Sequence, residues 1–355
     1  MERILLTTGG TGGHIFPALA VAEELRNRYP QAQIVFVGSQ HGPERELSAK
    51  AGLEFVGLPV RGFLGRGFRA IGAAAGMGKA LCQAVGLVRR FKPQAVAGFG
   101  GYAAFAPVMA AWLCGVPAVI HEQNAIAGMS NRILARLACR VLLSLPDTEG
   151  FPVDKCVVTG NPVRQAVVEA GDAWHTFDGK RLLVTGGSQG ARALTEIVMG
   201  ALPRLKEAGV HLRLQTGQAD VQRAAAACVA AGYAAECVQP FIGDMAAAYR
   251  WADIVLCRAG ATSVAELAAA GMPAVLVPFP YATHDHQTFN ARTLAGCGAA
   301  MMVPEKDLGH VDVVTLLLRL LEEPGTLHAM SALARGQARP HAAADVVEQL
   351  SALAQ

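Results

Sequence analysis

Two α/β domains, each built on a doubly wound parallel sheet, are predicted for this chain from three observations. Its 355 residues, 52% of them apolar, exceed what one core usually organises, so two domains of about 150–180 residues are expected. Its 39 glycines are spread along the sequence and punctuate short apolar runs, as turn residues do where strands and helices alternate. Finally, the pattern strand, glycine loop, helix occurs twice, with loops starting at Gly9 and at Gly186, half a chain apart.

In the first half, Ile4-Leu5-Leu6-Thr7-Thr8 is a short apolar run, Gly9-Gly10-Thr11-Gly12-Gly13-His14 a loop, and 15–26 a helical pattern. Apolar runs return at 34–37, 95–98, 118–122 and 141–145. In the second half, Leu182-Leu183-Val184-Thr185 leads into Gly186-Gly187-Ser188-Gln189-Gly190 and a helix from Ala191. Further runs lie at 212–215, 254–257, 274–277 and 300–303. Helical stretches separate them, so binding loops are expected at the strand carboxyl ends and a ligand in the cleft between the domains. The join is placed near Val158-Thr159-Gly160-Asn161-Pro162-Val163-Arg164, where a strand ends in Gly-Asn-Pro and a charged, less apolar stretch begins, dividing 1–163 from 164–355. The alanine-rich segment 341–355 reads as a closing helix for which the sequence leaves either domain open.

The net charge of +3 is too small for a chain whose main partner is a polyanion, so no nucleic acid partner is expected. None of the eight cysteines forms a CxxC pair, and most sit in apolar runs, so neither a zinc site nor a disulfide framework is indicated. Met1-Glu2-Arg3-Ile4 leads directly into a strand, without the features of a secretory leader, which points to the cytoplasm. With no window of ~18 uninterrupted apolar residues, any membrane contact is expected to be peripheral.

A glycine loop between strand and helix lets the backbone approach a ligand and offers the N–H groups of the helix start to an anion, phosphate above all. Glycine also ends strands for steric reasons alone, so the weight lies in the two loops being in register. Neither loop reads G-x-G-x-x-G, and the second strands end in Gly38-Ser39-Gln40 and Gln215-Thr216-Gly217, without the acid that holds a nicotinamide cofactor's ribose. Gly78-Lys79 is followed by Ala80 and preceded at position 73 by Ala73, which is no P-loop.

Six segments, in order, closely resemble the MurG family of UDP-N-acetylglucosamine:lipid I N-acetylglucosaminyltransferases. They are Gly9-Gly10-Thr11-Gly12-Gly13-His14-Ile15-Phe16-Pro17, Gly98-Phe99-Gly100-Gly101-Tyr102, His121-Glu122-Gln123-Asn124, Gly160-Asn161-Pro162-Val163-Arg164, Gly186-Gly187-Ser188-Gln189-Gly190-Ala191 and Arg258-Ala259-Gly260-Ala261-Thr262-Ser263-Val264-Ala265-Glu266. The resemblance spans nearly the whole chain. It implies a GT-B glycosyltransferase of two Rossmann-like domains facing a cleft, with acceptor and membrane on the first, UDP-N-acetylglucosamine on the second, and no cofactor or obligatory metal. It also implies a place at the cytoplasmic face of the bacterial inner membrane, with lipid I, anionic lipids and other cell-wall and division proteins as partners.

Donor residues follow. Ser188 and Gln189, in a loop opening a helix, supply backbone and side-chain donors for a diphosphate. Arg164 adds a cation there in the family, or forms an interdomain ion pair. Thr11, Gly12, Gly13 and Asn124 join the donor set through the first loop and its neighbour. Glu266 lies in an apolar helical stretch near Ala261 and Thr262, and a carboxylate there accepts both hydroxyls of a ribose, its role in the family. Ile242 and Met245 line the family's uracil pocket with Arg258, although such a methionine is commonly core. In the polar island Thr283-His284-Asp285-His286-Gln287-Thr288-Phe289-Asn290-Ala291, Gln287 matches the family's contact to the sugar, while His286 stands where some relatives have a second glutamine. A metal there is disfavoured, since His284 and His286 are two apart with no third histidine near.

Transfer from an α-linked donor to a β-linked product calls for inversion by one in-line attack, and so for a base and a stabilised leaving group. His14, at a helix start that favours its neutral form, is the candidate base. Glu122 is the alternative, and Tyr102, Glu122 and Asn124 are acceptor-site candidates. Segment 61–92 carries Arg66, Arg69, Lys79, Arg89, Arg90 and Lys92 among apolar residues and no acid, as a surface docking on anionic lipids does. An ordinary half-buried helix with solvated cations is the other reading. Two rivals remain: a UDP-N-acetylglucosamine 2-epimerase, which needs no lipid acceptor, and a binding or scaffold protein, which transfers nothing.

Overall fold

The computed structural model describes residues 1–60, 69–172, 175–187 and 190–354, with the side chains of 69–75 also left aside. The chain divides into two compact units, Met1–Arg164 with Arg339–Gln355, and Gln165–Ala338.

The first unit alternates β1 (Arg3–Thr7), α1 (Gly12–Arg28), β2 (Gln33–Ser39), α2 (Glu44–Lys50), β3 (Glu54–Leu58), α3 (Arg69–Phe91), β4 (Ala95–Gly98) and α4 (Phe105–Leu113). It continues with β5 (Ala118–Glu122), α5 (Met129–Leu134), β6 (Arg140–Leu143) and β7 (Cys156–Val158). The strands form one parallel sheet ordered β3-β2-β1-β4-β5-β6-β7. Both faces are covered by helices, which is why the strands read as unbroken apolar runs: alternate residues of β1 enter different cores. Leu5 packs with Ala80, Ala84, Leu87 and Val88 of α3, whereas Ile4 and Leu6 pack with Ile15, Val21 and Leu25 of α1.

The second unit runs α6 (Gln165–Asp172), β8 (Arg181–Thr185), α7 (Arg192–Glu207), β9 (His211–Gln215), α8 (Val221–Ala230), β10 (Val238–Gln239), α9 (Met245–Trp251) and β11 (Ile254–Cys257). Then come α10 (Ala261–Ala270), β12 (Ala274–Leu276), α11 (His286–Ala295), β13 (Ala300–Met302), α12 (Val313–Leu321) and α13 (Pro324–Gly336). Its parallel sheet is ordered β10-β9-β8-β11-β12-β13. Leu182 and Val184 of β8 meet Leu194, Val198 and Leu202 of α7 in the core beneath it.

The last helix, α14 (Ala342–Leu353), belongs to the first unit, so the segment 164–355 does not form one body. The cause is burial: Val346, Val347 and Leu350 enter the core of Ile4, Leu6 and Ile15, and Tyr29 Oη pairs with Ser351 Oγ at 2.9 Å. Arg164 likewise falls at the end of the first unit. In both sheets the chain leaves the central strand in one direction and later returns beside it, so strand order reverses between β1 and β4 and between β8 and β11. Crevices at the carboxyl ends of such strand pairs are where doubly wound sheets bind ligands.

Candidate functional site

At the carboxyl edge of the first sheet, the loops after β1 and β4 lie backbone against backbone. Gly9 N–H donates to the Gly100 carbonyl at 3.2 Å. Gly101 has φ +75°, and a Cβ there would lie 1.8 Å from the Gly9 oxygen, so only glycine fits. α1 then starts at Gly12 with Thr11 as an N-cap that makes no side-chain cap bond, and with no acid in its first turn. His14 N and Ile15 N turn back to the Thr11 carbonyl at 3.0 and 3.3 Å, and the positive end of the helix dipole here suits an anion. Glu44, wholly buried at the start of α2, accepts from Gly10 N at 3.1 Å and from Ser39 N at 3.4 Å, pinning this loop from below.

His14, in the first turn of α1, is half-buried, and its Nδ1 lies 2.8 Å from Gln123 Oε1. Gln123 Nε2 donates to the Phe99 carbonyl at 3.0 Å and reaches His121 Nδ1 at 3.1 Å. His121 Nε2 in turn donates to the Gly160 carbonyl at 3.0 Å. His121 is buried, which pushes its pKa down to about 4 against the raising effects of the Gly160 hydrogen bond and Glu122, so it is neutral near pH 7.

Glu122 does not present a free carboxylate. It is buried; Oε1 accepts from Asn124 N and Nδ2, both at 3.1 Å, and Oε2 from Gly128 N at 3.0 Å and Asn131 Nδ2 at 2.9 Å. A group so occupied braces the loop after β5, and the reading of Glu122 as alternative base does not fit it. Asn124 is held in place by this carboxylate, and Tyr102 packs half-buried on the α3 side of the sheet. The Arg164 guanidinium stacks over the Phe16 ring at 4.5 Å, beside the start of α1.

In the second unit, Ser188 and Gln189 lie outside the described residues. Gln215 at the end of β9 donates to the Gly187 carbonyl at 2.5 Å and accepts from Ile242 N at 3.2 Å. It thereby joins the loop after β8 to the one before α9. Ile242 is buried, Met245 half-buried, and Asp244 caps α9 by accepting from Ala247 N at 2.9 Å. α10 begins at Ala261 behind Gly260, with no acid in its first turn and no side-chain cap bond. Thr262 and Glu266, four apart on one face of this helix, are both buried, and the Tyr249 hydroxyl donates to Glu266 Oε2 at 3.2 Å.

Arg258 is a latch more than a reader of a base. Its Nη1 donates to the carbonyls of Val277 at 3.1 Å and Pro278 at 3.2 Å, and Nη2 pairs with Glu305. The polar island follows β12. His284 (φ 54°) and Asp285 (φ 55°) are both left-handed, a strain concentrated where a binding loop is expected. Gln287 Oε1 accepts from Phe279 N at 3.0 Å, and His286 Nδ1 donates to the Thr283 carbonyl at 2.8 Å. Among the described residues no group of three His, Cys, Asp or Glu side chains is close enough to hold a metal ion.

Gln123, Gln215, Tyr249 and Glu44 are the residues that sequence reasoning missed. Gln123 alone had a signal: β5 alternates faces, so His121 and Gln123 share one side and Glu122 and Asn124 the other.

Residues 4–143 match the glycosyltransferase family 28 N-terminal domain, and residues 181–349 match its C-terminal domain. The chain belongs to glycosyltransferase family 28. Within the family, it is 56% identical to the UDP-N-acetylglucosamine--N-acetylmuramyl-(pentapeptide) pyrophosphoryl-undecaprenol N-acetylglucosamine transferase of Nitratidesulfovibrio vulgaris strain Miyazaki F, covering 99% of this chain and 97% of that one. The transferase of the same name from Solidesulfovibrio magneticus is 50% identical over 100% of this chain and 98% of its own. Among solved structures, Acinetobacter baumannii MurG superposes with a TM-score of 0.75 at 35% identity over 99% of each chain. A UDP-GlcNAc 2-epimerase from Neisseria meningitidis shares the fold, with a TM-score of 0.68 at 14% identity over 99% of this chain and 100% of that one.

Proposed function

We propose that this family 28 enzyme transfers N-acetylglucosamine from UDP-N-acetylglucosamine to N-acetylmuramyl-(pentapeptide) pyrophosphoryl-undecaprenol. The observation that carries the reading is 56% identity, along 99% of the chain, to a transferase bearing that name.

The second unit holds the donor. Glu266 takes the ribose hydroxyls, the start of α10 at Ala261 and Thr262 and the loop with Ser188 and Gln189 take the diphosphate, and Ile242 and Met245 flank the base. Gln287 and His286 meet the sugar. The first unit holds the acceptor near Tyr102 and Asn124, with Thr11, Gly12, Gly13 and Arg164 meeting the departing phosphate. His14 takes the acceptor proton in a single inverting displacement, and the helix start with Arg164 supplies the charge stabilisation, with no metal required.

Docking on anionic lipids at the cytoplasmic face of the inner membrane is part of this reading. Among the described residues no helix is long and apolar enough to cross a membrane. In the described part of α3 the apolar Ala80, Ala84, Leu87 and Val88 are buried, so the basic apolar surface expected there presents only Lys79, Arg89, Arg90 and, just beyond, Lys92 as its charged exposed groups. Arg66 and the side chain of Arg69 lie outside the described residues. The apolar partner is instead on α4, which packs against α3 and exposes Trp112 (51%) and Leu113 (53%). An aromatic with nearby cations suits a lipid headgroup region.

The test is purified protein with radiolabelled UDP-N-acetylglucosamine and the lipid-linked muramyl-pentapeptide. Label is expected in the lipid fraction, with or without a chelator. Label staying wholly with the nucleotide overturns the assignment.

A further inference from the structure

The contacts around Gln123 leave one consistent placement of hydrogens. A carbonyl only accepts, so His121 Nε2, 3.0 Å from the Gly160 oxygen, carries a hydrogen. In a neutral imidazole its Nδ1 is then bare and accepts from Gln123 Nε2 at 3.1 Å. The other hydrogen of that amide nitrogen goes to the Phe99 oxygen at 3.0 Å. Flipping the amide would set its oxygen against both acceptors, so Oε1 faces His14 and accepts from Nδ1–H at 2.8 Å. In neutral His14 the lone pair therefore lies on Nε2. Gly100 opposite leaves space for this ring, since a Cβ there would come within 3.1 Å of His14 Nδ1.

We propose that Gln123, oriented by His121, is the positioning residue of the transfer step, fixing His14 in the Nδ1–H tautomer with Nε2 bare toward the acceptor. The inference rests on the transferase reading and on His14 as its base. In the step, the acceptor hydroxyl oxygen bonds to the sugar's anomeric carbon while its proton passes to His14 Nε2. The anomeric carbon–oxygen bond to the β-phosphate breaks, and its electron pair leaves with UDP. Free imidazole favours the opposite tautomer, with hydrogen on Nε2, which has no lone pair to receive that proton. A base's tautomer is thus a rate determinant set by its partner.

The experiment reads long-range proton–nitrogen correlations of ¹⁵N-histidine-labelled protein, assigned with His14→Ala. Wild type is expected to show His14 as Nδ1–H; finding Nε2–H overturns the proposal whether or not any variant folds. Gln123→Met removes the acceptor at similar volume. It is expected to shift His14 toward Nε2–H and lower kcat about 10- to 100-fold, with KM for UDP-N-acetylglucosamine within twofold. His121→Gln keeps one acceptor and one donor at the right ends, and is expected to retain the Nδ1–H signature and turnover within about threefold; His121→Leu is not. A tautomer that changes in Gln123→Met with turnover unmoved overturns the positioning role but leaves the transferase standing. Absence of transfer in wild type overturns the transferase, and the spectra still report the tautomer.

Discussion

The hydroxyl of Tyr249 donates to Oε2 of Glu266 across 3.2 Å, joining α9 to α10 with both side chains buried. A carboxylate with one neutral donor on one oxygen still has lone pairs to accept from an incoming hydroxyl, which is what a ribose contact requires. Tyr249→Phe removes one hydrogen bond of about 0.5–1.5 kcal/mol and is expected to weaken UDP binding about 3- to 10-fold. Glu266→Ala removes the acceptor itself and is expected to cost about 10- to 100-fold. Calorimetric titration with UDP decides; wild-type affinity in Glu266→Ala removes the ribose role.

Asp253 is a structural carboxylate of the same unit. It is wholly buried just before β11 and accepts from Arg181 N at 2.8 Å, Arg181 Nη2 at 2.9 Å and His175 Nε2 at 2.8 Å, tying β8 to β11 at the edge away from the ligand loops. Burial works to raise its pKa, but the bonds from His175 and Arg181 outweigh it and hold the carboxyl below the ordinary range. A folded pKa below the unfolded value contributes stability above about pH 4 that is lost as pH falls through the folded pKa. Asp253→Ala is expected to cost about 3 kcal/mol at pH 7 and less at pH 3, since breaking one side of a buried pair strands the other. Urea melts at both pH values test this; a pH-independent difference contradicts it.

The loop architecture was legible because its signals are local. The Gly9 and Gly186 loops announce themselves after short apolar runs, and β1, β4, β5, β8 and β11 follow from them. β3 and β10 did not stand out: β3 is interrupted by Gly57, and β10 has two residues. The return of α14 to the first unit was undecidable in advance, because an apolar stripe such as Val346, Val347 and Leu350 fits any exposed core edge. Candidate site residues stood out where chemistry is written in residue type, as at His14 and Glu266. Gln215 did not, and Gln123 only through the face of β5 that it shares with His121, since the importance of both lies in amide orientations fixed by partners across the fold.

Gly101 tests the interlocked loops of the first unit. Its φ of +75° opposes any side chain, and so does the Gly9 oxygen, which would stand only 1.8 Å from an added Cβ. Gly101→Ala is expected to destabilise the first unit by about 1–3 kcal/mol and displace the start of α1, lowering transfer at least about tenfold. On the proposed function most UDP contacts lie on the second unit, with Thr11, Gly12 and Gly13 adding to the phosphate, so UDP binding is expected to fall by less than transfer does. Loss of UDP binding in step with transfer would mean that this loop carries the main donor contacts.

His121 makes the first unit acid-sensitive in a range where carboxylates are silent. Its pKa falls from 6.5 to about 4 chiefly through burial, with Gly160 and Glu122 opposing the fall. The neutral ring is the form that donates to Gly160 and accepts from Gln123, so its contribution is complete above pH 6.5 and is lost as pH drops toward 4. At 1.36 kcal/mol per unit the full difference is about 3 kcal/mol. His121→Gln keeps a donor and an acceptor without titrating, so its penalty relative to wild type is expected to shrink steadily between pH 7 and pH 4.5. Two units preclude a single two-state melt, so urea unfolding is best followed through amide resonances of β1 and β5. Parallel curves for the two proteins over that range would mean that protonated His121 finds water or another acceptor, and that its ring is less sealed than the Gly160 and Gln123 contacts imply.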